Sequence, residues 1–403
     1  MEYTKNSISS GGLSGFLVAV FLFIGAFSSA GAYASDVIKV GFIDSLTGPI
    51  SSLGVPYDKG MKAALAYKSS IDGHEIEVIK LDDESSPSKA ARNARKLINE
   101  DKVDIIIGTS GSPGSLAIAA VASKAKTPFI SLAQASLPAD QDWTWMVNIP
   151  QPASLMFDVL AKHMKNEGVK SIGYIGFSDS WGDSAYKAIS ENAKKYGMSV
   201  ISDERYARSD TSVTGQVLKT LAKHPDAVMT GTSGTPGALP YLELAKRGYQ
   251  GQIYGAHSLI SSGFIRVGGD AVEGLVAPTG PVTVADQLPK GYPTRAMGIK
   301  FHEVYEQANG EPAADAFSSY AFDAWIVFLD AAQRALETAE PGTADFRLAL
   351  RNALNSTREV VGVHAVYNFT PNTIYGVDDR AAVVVKLENE HWKLLEADVK
   401  INN

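Results

Sequence analysis

The chain has no cysteine among its 403 residues. It therefore forms no disulfide, performs no thiol chemistry and offers no cysteine for an N-terminal lipid anchor. It also lacks a large block of basic residues, and its formal net charge is −7. We therefore expect no nucleic-acid partner.

The motifs of common enzyme and metal sites are missing as well. The sequence contains no G-x-G-x-x-G fingerprint, no P-loop lysine after a glycine-rich turn and no G-x-S-x-G nucleophile elbow. None of the histidines stands in H-E-x-x-H or beside another ligand at metal spacing. We expect no metal site, no cofactor and no catalytic residue, and a secreted α/β hydrolase is kept as an alternative.

Long apolar runs are scarce, and the one at the N-terminus is short. Leu13–Phe27 is apolar with few interruptions, and an A-x-A cleavage box follows at 32–34. This pattern predicts a signal peptide over residues 1–34, cleaved near Ala34, with an uncleaved membrane anchor as the alternative. No later run reaches the ~18–20 apolar residues of a spanning helix. An exported, soluble chain without disulfides suggests the bacterial periplasm.

What the sequence does contain is a short motif, here called the repeated phrase, in two similar copies. GTSGSPGSL spans Gly108–Leu116, and GTSGTPGAL spans Gly231–Leu239, an offset of 231 − 108 = 123 residues. Each copy follows an apolar run and precedes a helical segment. The offset is about one domain length, so the repeat predicts two similarly built α/β lobes.

The first copy has the features of an anion-binding turn. Asp104–Gly108 is a short apolar run typical of a buried strand, and Ser112 and Pro113 are predicted as the N-cap and first residue of the next helix. The free N–H groups of such a helix start, with the hydroxyls of Ser110 and Ser112, favour a carboxylate ligand.

Strands and helices alternate as β-α-β-α-β up to about residue 150, and the alternation starts again after 152. This order predicts an α/β fold of two doubly wound, mainly parallel sheets. We expect lobe 1 to comprise residues 35–150 and 280–380, and lobe 2 to comprise 151–279 and 381–403. The chain would then cross between the lobes three times and form a hinge of three segments.

Several polar and aromatic residues follow predicted strands, where open α/β sheets bind ligands. Trp181, Thr232, Ser233 and His257 are candidates for such a site. Taken singly, each of them is also explained by a structural role, such as local packing for Trp181 or a structural histidine for His257.

These residues lead to a family resemblance that covers nearly the whole mature chain. VGFIDSLTGP, PFIS, WGD and VGGDAVEG, with the helix Ser88–Glu100 before the DIIIG strand, occur in family order. The chain thus resembles the leucine/isoleucine/valine-binding, or type I, periplasmic solute-binding proteins of ABC importers. The resemblance implies a Venus-flytrap receptor, monomeric and not an enzyme, that closes on a small solute and docks to membrane permease subunits.

The resemblance also implies a ligand site. The solute carboxylate would be held by Ser112 and by the loop that contains Ala133, Gln134 and Ala135, where Ala135 replaces the usual threonine. Trp181 would supply an aromatic wall from the second lobe, and Leu53 stands where the first-lobe loop usually has an aromatic.

One departure from the family pattern concerns the solute. His257 stands where amino-acid-binding members have the acidic residue that pairs with the α-ammonium. A histidine cannot compensate a buried ammonium, so we expect a carboxylate solute without one, such as a benzoate-type or phenylpropanoid acid. The segment Glu204–Lys219 resembles relatives of that aromatic-acid subgroup. A branched-chain or other amino acid is the alternative solute, and a sensor subunit is an alternative role.

Overall fold

The computed structural model describes residues 37–135 and 142–397. The predicted signal peptide and its cleavage site lie outside these residues. No helix within the described ranges is long and apolar enough to cross a membrane.

The first sheet has six strands, in the order β2-β3-β1-β4-β5-β6. Every neighbouring pair in it is parallel except the hairpin of β2 and β3. Its strands and the helices between them are β1 (Val37–Asp44), α1 (Ser51–Tyr67), β2 (Ser70–Ile71), β3 (His74–Asp82), α2 (Pro87–Asn99), β4 (Ile105–Gly108), α3 (Ser112–Ala125), β5 (Phe129–Ser131) and β6 (Met146–Asn148).

The second sheet has seven strands and begins with the same alternation. Its elements are α4 (Ala153–Asn166), β7 (Ser171–Phe177), α5 (Ser180–Lys195), β8 (Ser199–Tyr206), α6 (Thr214–Leu221), β9 (Ala227–Gly231), α7 (Leu239–Lys246), β10 (Gln252–Gly255), α8 (Ser262–Gly268) and β11 (Val276–Thr279). The last part of the chain adds α9 (Arg295–Asn309), α10 (Phe317–Leu336), α11 (Ala344–Leu354), β12 (Val360–Val361), β13 (Val366–Tyr367), β14 (Val383–Glu388) and β15 (His391–Ala397).

The parallel strands of the two sheets follow the same order, β3-β1-β4-β5-β6 and β8-β7-β9-β10-β11, which confirms the predicted doubly wound α/β architecture. The order of the second sheet is β15-β14-β11-β10-β9-β7-β8, with β7 to β11 parallel and β14 and β15 antiparallel at one end. In each lobe the first parallel strand lies between the second and the third. Ligands of open α/β sheets bind beyond the strand ends at this point.

The chain returns to the first lobe after β11 and leaves it again before β14. Side chains of α9, α10 and α11 share one buried cluster with α1 and the first sheet, whereas β14 and β15 extend the second sheet. The chain therefore passes between the lobes three times. The precise lobe boundaries, 150/151, 279/280 and 380/381, stay a prediction.

The two copies of the repeated phrase follow equivalent strands of the two sheets. The first joins β4 to α3, and the second joins β9 to a single turn of 3-10 helix, Thr235–Ala238, which leads into α7. Because β4 and β9 are each the third parallel strand of their sheet, both copies lie at the carboxyl edge beside the first strand. The repeat therefore brings two glycine-rich bends to the facing edges of the two sheets.

Helix α1 packs against α10 through a glycine, and this contact gives a stability prediction. A Cβ added to Gly60 would lie 2.0 Å from the carbonyl oxygen of Ser318, a backbone atom that cannot move aside. We expect Gly60→Ala to lower the free energy of unfolding by about 2 kcal/mol, although alanine favours a helix. Gly215 of α6 has no atom within 4 Å of such a Cβ. The control Gly215→Ala should therefore stabilise the protein by about 0.5–1 kcal/mol in denaturant unfolding. Equal effects of the two substitutions would contradict this packing.

Candidate functional site

A small cavity lies between the lobes, where the ends of β4 and β5 face those of β7 and β9. Residues of both lobes line it, and none of them is an aspartate or a glutamate. The lining residues are Leu53, Tyr57, Ser110, Gly111, Ser112, Leu132, Ala133, Gln134, Pro150, Trp181, Arg208, Ser233, His257, Ser258, Phe317 and Tyr320.

The structure brings together seven of the eight site residues expected from the sequence. These are Leu53, Ser112, Ala133, Gln134, Trp181, Ser233 and His257. The eighth, Ala135, is absent from the lining, and its carbonyl oxygen accepts hydrogen bonds from Tyr375 Oη at 3.0 Å and Asn148 Nδ2 at 3.4 Å. Whether these residues bind a ligand stays a prediction.

The first bend differs from the sequence prediction in two details. Gly111, and not Ser112, is the N-cap of α3, because Gly111 is the last residue with extended backbone. The hydroxyl of Ser110, expected beside an anion, donates instead to the carboxylate of Asp44. The N-cap Gly111 has no side chain to cap the first N–H groups of α3, and Ser112 lines the cavity. We therefore expect the Ser112 hydroxyl and these N–H groups to be what this bend offers to a ligand.

Trp181 is held at the cavity by the start of α5. The carboxylate of Asp179 caps this helix and accepts from the backbone N–H groups of Trp181 and Gly182 at 3.0 and 3.1 Å. The indole N–H donates to the carbonyl oxygen of Thr232 at 3.3 Å, so the second bend fixes the ring. Trp181 therefore belongs to the first turn of α5.

Arg208 lines the cavity and is absent from the sequence prediction. It follows β8 and is the only lysine or arginine among the residues that line the cavity. Its Nε donates to Asp179 Oδ2 at 2.6 Å, and its Nη1 donates to Ser233 Oγ at 2.6 Å. The guanidinium carbon lies 4.2 Å from the centre of the Phe177 ring. These contacts hold the guanidinium at the cavity wall, beside the Asp179 carboxylate that balances its charge, and Nη2 has no hydrogen-bond partner within the described part of the chain.

The proton on His257 can be placed from its neighbour. Its Nε2 lies 3.2 Å from the amide nitrogen of Gln134 on the opposite lobe. An amide nitrogen can only donate, so Nε2 accepts, and the neutral ring carries its proton on Nδ1. Burial lowers the pKa of His257 to about 3, which keeps the ring neutral. The Trp181 ring packs edge-on against it, with 5.4 Å between ring centres.

Aromatic side chains of two helices complete the cavity walls. Tyr57 of α1 packs edge-on against Phe317 of α10, at 5.6 Å between ring centres, and its hydroxyl donates to the carbonyl oxygen of Leu132 at 2.6 Å. Tyr320 of α10 stacks on the buried ring of His364 at 3.8 Å. The walls are therefore largely apolar, with few polar groups, as is usual in small-molecule sites.

Gln151 connects the cavity to the hinge. Its backbone carbonyl accepts from the side chain of Gln134, its side-chain oxygen accepts from Tyr320 Oη at 2.7 Å, and its Nε2 donates to the carbonyl oxygen of Ala381 at 2.7 Å. Gln151 lies on the first crossing between the lobes and Ala381 on the third. The side chains of Gln134 and Tyr320, which line the cavity, are thus hydrogen-bonded to a residue of the hinge.

The lobes touch each other directly in front of the cavity. The backbone N–H of Thr235, in the second bend, donates to Ser52 Oγ of α1 at 3.2 Å. Two further backbone bonds join the lobes, from Ala316 to Ile260 at 3.1 Å and from Ser262 to Ala314 at 3.0 Å. The structure therefore shows the lobes closed on each other.

Acid should destabilise the folded protein partly through His257. Its pKa is about 3 in the folded chain and about 6.5 when unfolded, so between pH 6.5 and 3 only the unfolded chain binds this proton. The free energy of unfolding should fall as the pH falls through this window, by up to about 1.4 kcal/mol per pH unit. His257→Gln should reduce this slope in denaturant unfolding at several pH values.

His364 lies close enough to interact with His257 electrostatically, and Arg208, Tyr57 and Tyr320 line the same cavity. Burial also lowers the pKa of His364 to about 3, so the variant should keep part of the acid sensitivity. The exposed His224 supplies a control, His224→Gln, for the loss of a histidine as such. An unchanged pH slope in His257→Gln would contradict the burial of a neutral ring.

Comparison with known proteins agrees with this architecture. The family model described as periplasmic binding protein matches residues 37–390. Leu/Ile/Val-binding protein homolog 4 of Brucella melitensis is 24% identical over 353 residues, which cover 81% of this chain and 80% of the relative.

Solved structures resemble the chain over nearly the whole described range. An extracellular ligand-binding receptor from Rhodopseudomonas palustris HaA2 is 37% identical, with a TM-score of 0.86 over 89% of this chain and all of that one. A leucine-binding protein from Thermotoga maritima shares the fold at 24% identity, with a TM-score of 0.76 over 89% of this chain and 98% of that one. By their names, these relatives are a ligand-binding receptor and a leucine-binding protein. With a family model that matches 354 residues and two lobes closed over a shared cavity, the chain belongs to the periplasmic binding protein family.

Proposed function

We propose that the protein is a periplasmic receptor for a small aromatic carboxylate of benzoate or phenylpropanoid type, which it delivers to the permease of an ABC importer. Export would remove residues 1–34 near Ala34. The observation that carries the proposal is the composition of the cavity, which combines one guanidinium with aromatic walls and has no carboxylate among the described residues that line it.

The positive end of the site suits the carboxylate of the solute. Arg208 supplies the charge, and Ser112 adds a hydroxyl at the start of α3. Each charge-assisted hydrogen bond contributes about 1.5–3 kcal/mol. Two or three such bonds, with burial of an aromatic ring against Trp181 and Tyr320, could reach the ~8 kcal/mol of micromolar affinity after the cost of binding.

A branched-chain amino acid is the second candidate solute. The name of the Brucella relative favours it, since that protein is a Leu/Ile/Val-binding protein homolog. An α-ammonium would, however, find no carboxylate among the lining residues and would lie in a cavity that already holds a guanidinium.

Calorimetric titration separates the two candidates. Protein freed of ligand by unfolding and refolding should bind benzoate-type or phenylpropanoid acids with micromolar or tighter affinity and should give no heat with leucine. Tight leucine binding with silent aromatic acids would reject the aromatic-acid proposal and leave the amino-acid alternative.

A further inference from the structure

One buried carboxylate beside the hinge has no part in the site described above. Asp323 of α10 is fully buried and holds the loop between β12 and β13. Its Oδ1 accepts from the backbone N–H of Val363 at 2.6 Å. Its Oδ2 accepts from the backbone N–H of His364 at 2.9 Å and from Tyr367 Oη at 2.7 Å. The carboxylate therefore joins α10 to the hairpin of β12 and β13.

The Tyr367 hydroxyl has two acceptors within reach and one hydrogen to donate. Its Oη lies 2.7 Å from Asp323 Oδ2 and 3.4 Å from the carbonyl oxygen of Ile149. While Asp323 is ionised, the hydrogen goes to the nearer and charged oxygen. Ile149 comes shortly before Gln151, which lies on the first crossing between the lobes.

Protonation of Asp323 would reverse this hydrogen bond. Of the three groups bonded to the carboxylate, two are backbone N–H groups, which can only donate. The Tyr367 oxygen is the one partner among them that can accept, so a proton on Oδ2 is donated to Tyr367 Oη. The hydroxyl hydrogen of Tyr367 is then free to turn to the carbonyl oxygen of Ile149.

We propose that Asp323 and Tyr367 form a pH-sensitive switch at the hinge, in which protonation of Asp323 turns the Tyr367 hydroxyl to Ile149 and favours the closed lobes. The direction follows from the structure, in which the lobes are closed and the Ile149 carbonyl lies within reach of Tyr367. Hinge residues change their φ and ψ angles when lobes open. A bond that fixes this carbonyl therefore favours the conformation in which it forms. The switch goes beyond the proposed function and does not depend on the identity of the solute.

The surroundings of Asp323 place the switch near neutral pH. Burial raises the pKa of Asp323 to about 7. The other ionisable residues of this cluster are Tyr320 on the same helix, His364 in the loop and Tyr367 on β13. Burial raises the pKa of both tyrosines and lowers the pKa of His364 to about 3, so all three stay neutral between about pH 6 and 8.5. Asp323 is thus the residue of this cluster that changes charge in that range.

Because the chain has no cysteine, a designed disulfide can trap the closed lobes. A Cβ added to Gly263 of α8 would lie 3.8 Å from the Cβ of Ser52 in α1, which is the usual separation in a disulfide. These residues belong to opposite lobes, so the oxidation rate of Ser52→Cys/Gly263→Cys reports how often the lobes close without a solute. The rate is measured at about pH 6 and about pH 8.5, with and without Tyr367→Phe. The ratio of the two rates cancels the pH dependence of the thiols themselves.

We expect the rate ratio of the parent to its Tyr367→Phe derivative to be about threefold larger at pH 6 than at pH 8.5, the effect of one hydrogen bond. Asp323→Asn cannot ionise, and its ratio should change by the same factor, so it replaces Tyr367→Phe if that variant fails to fold. Tyr375→Phe is the matched control. It removes another tyrosine hydroxyl, which donates to the carbonyl oxygen of Ala135 at 3.0 Å, and its ratio should be the same at both pH values.

A ratio to Tyr367→Phe that is equal at the two pH values, or larger at pH 8.5, would overturn the switch. Calorimetric titration with benzoate repeats the comparison, and the affinity ratio of wild type to Tyr367→Phe should change by the same factor. The affinities decide if the disulfide does not form. Benzoate that fails to bind would count against the proposed solute, while the oxidation rates would still decide the switch.

Discussion

Arg208→Gln should lower the affinity for a benzoate-type acid by about 100-fold. Among the described residues that line the cavity, Arg208 is the only lysine or arginine, and Asp179 and Ser233 hold its guanidinium in place. Two charge-assisted hydrogen bonds to a carboxylate contribute about 3 kcal/mol or more, which corresponds to this factor. Asp179 keeps its bonds to the start of α5 in the variant, so the fold should survive.

Two variants control this experiment. Arg208→Lys keeps the charge but loses the planar pair of donors, so its affinity should be intermediate. Arg205→Gln removes a neighbouring arginine that pairs with Asp203 and Asp183 and is absent from the cavity lining. Its affinity should stay within threefold of the wild type, a difference of less than about 0.7 kcal/mol. Calorimetry measures all of them, and an Arg208→Gln protein with wild-type affinity would contradict the assignment of the carboxylate.

Ser52→Phe should weaken binding by a similar factor through the closure of the lobes. Ser52 lies at the contact between α1 and the second bend, where a Cβ added to Gly234 would lie only 2.6 Å from Ser52 Oγ. A phenyl ring has no room there when the lobes are closed. A solute that contacts only one lobe loses its hydrogen bonds to the other lobe. We expect this loss to cost about 3 kcal/mol or more of binding free energy, or about 100-fold in affinity.

The control for Ser52→Phe is Ser52→Ala. It removes only the bond from Thr235, so its affinity should fall by less than about tenfold. Small-angle X-ray scattering supplies the second measurement, since the wild type should become more compact on addition of the acid and Ser52→Phe should not. A Ser52→Phe protein that binds and compacts like the wild type would show that this contact is not needed for closure.

The parts of the fold that follow from local pattern could be predicted from the sequence. The strand before the first bend and the helix after it were expected from an apolar run, small residues and a proline, and the structure has β4 and α3 there. The second copy of the phrase predicted a second lobe of the same construction. Local pattern succeeded because strands buried on both faces read as continuous apolar runs.

Arg208 could not be placed because no apolar run marks the end of the strand before it. Strand β8 ends at Tyr206, and its last residues before Tyr206 are the charged Asp203, Glu204 and Arg205. Pairing with β7 along its whole length carries these polar residues into the sheet. The rule that placed Trp181 beyond a strand end would have pointed to Arg208 if the end of β8 had been known.

The aromatic walls were missed for a different reason. Tyr57 and Tyr320 are apolar positions of α1 and α10, and periodicity alone does not separate a residue that faces a core from one that faces a cavity. Their place depends on the packing of α1 against α10. The pairing of Gln134 with His257 likewise depends on closure of the two lobes, because these residues lie in different lobes and 123 positions apart in the chain.

A crystal structure of the protein with a bound aromatic acid tests the central claim most directly. We expect the solute between the two lobes, with its carboxylate at Arg208 and Ser112 and its ring against Trp181 and Tyr320. A solute outside this cavity, or one that contacts a single lobe and leaves Arg208 without a ligand oxygen, would contradict the account.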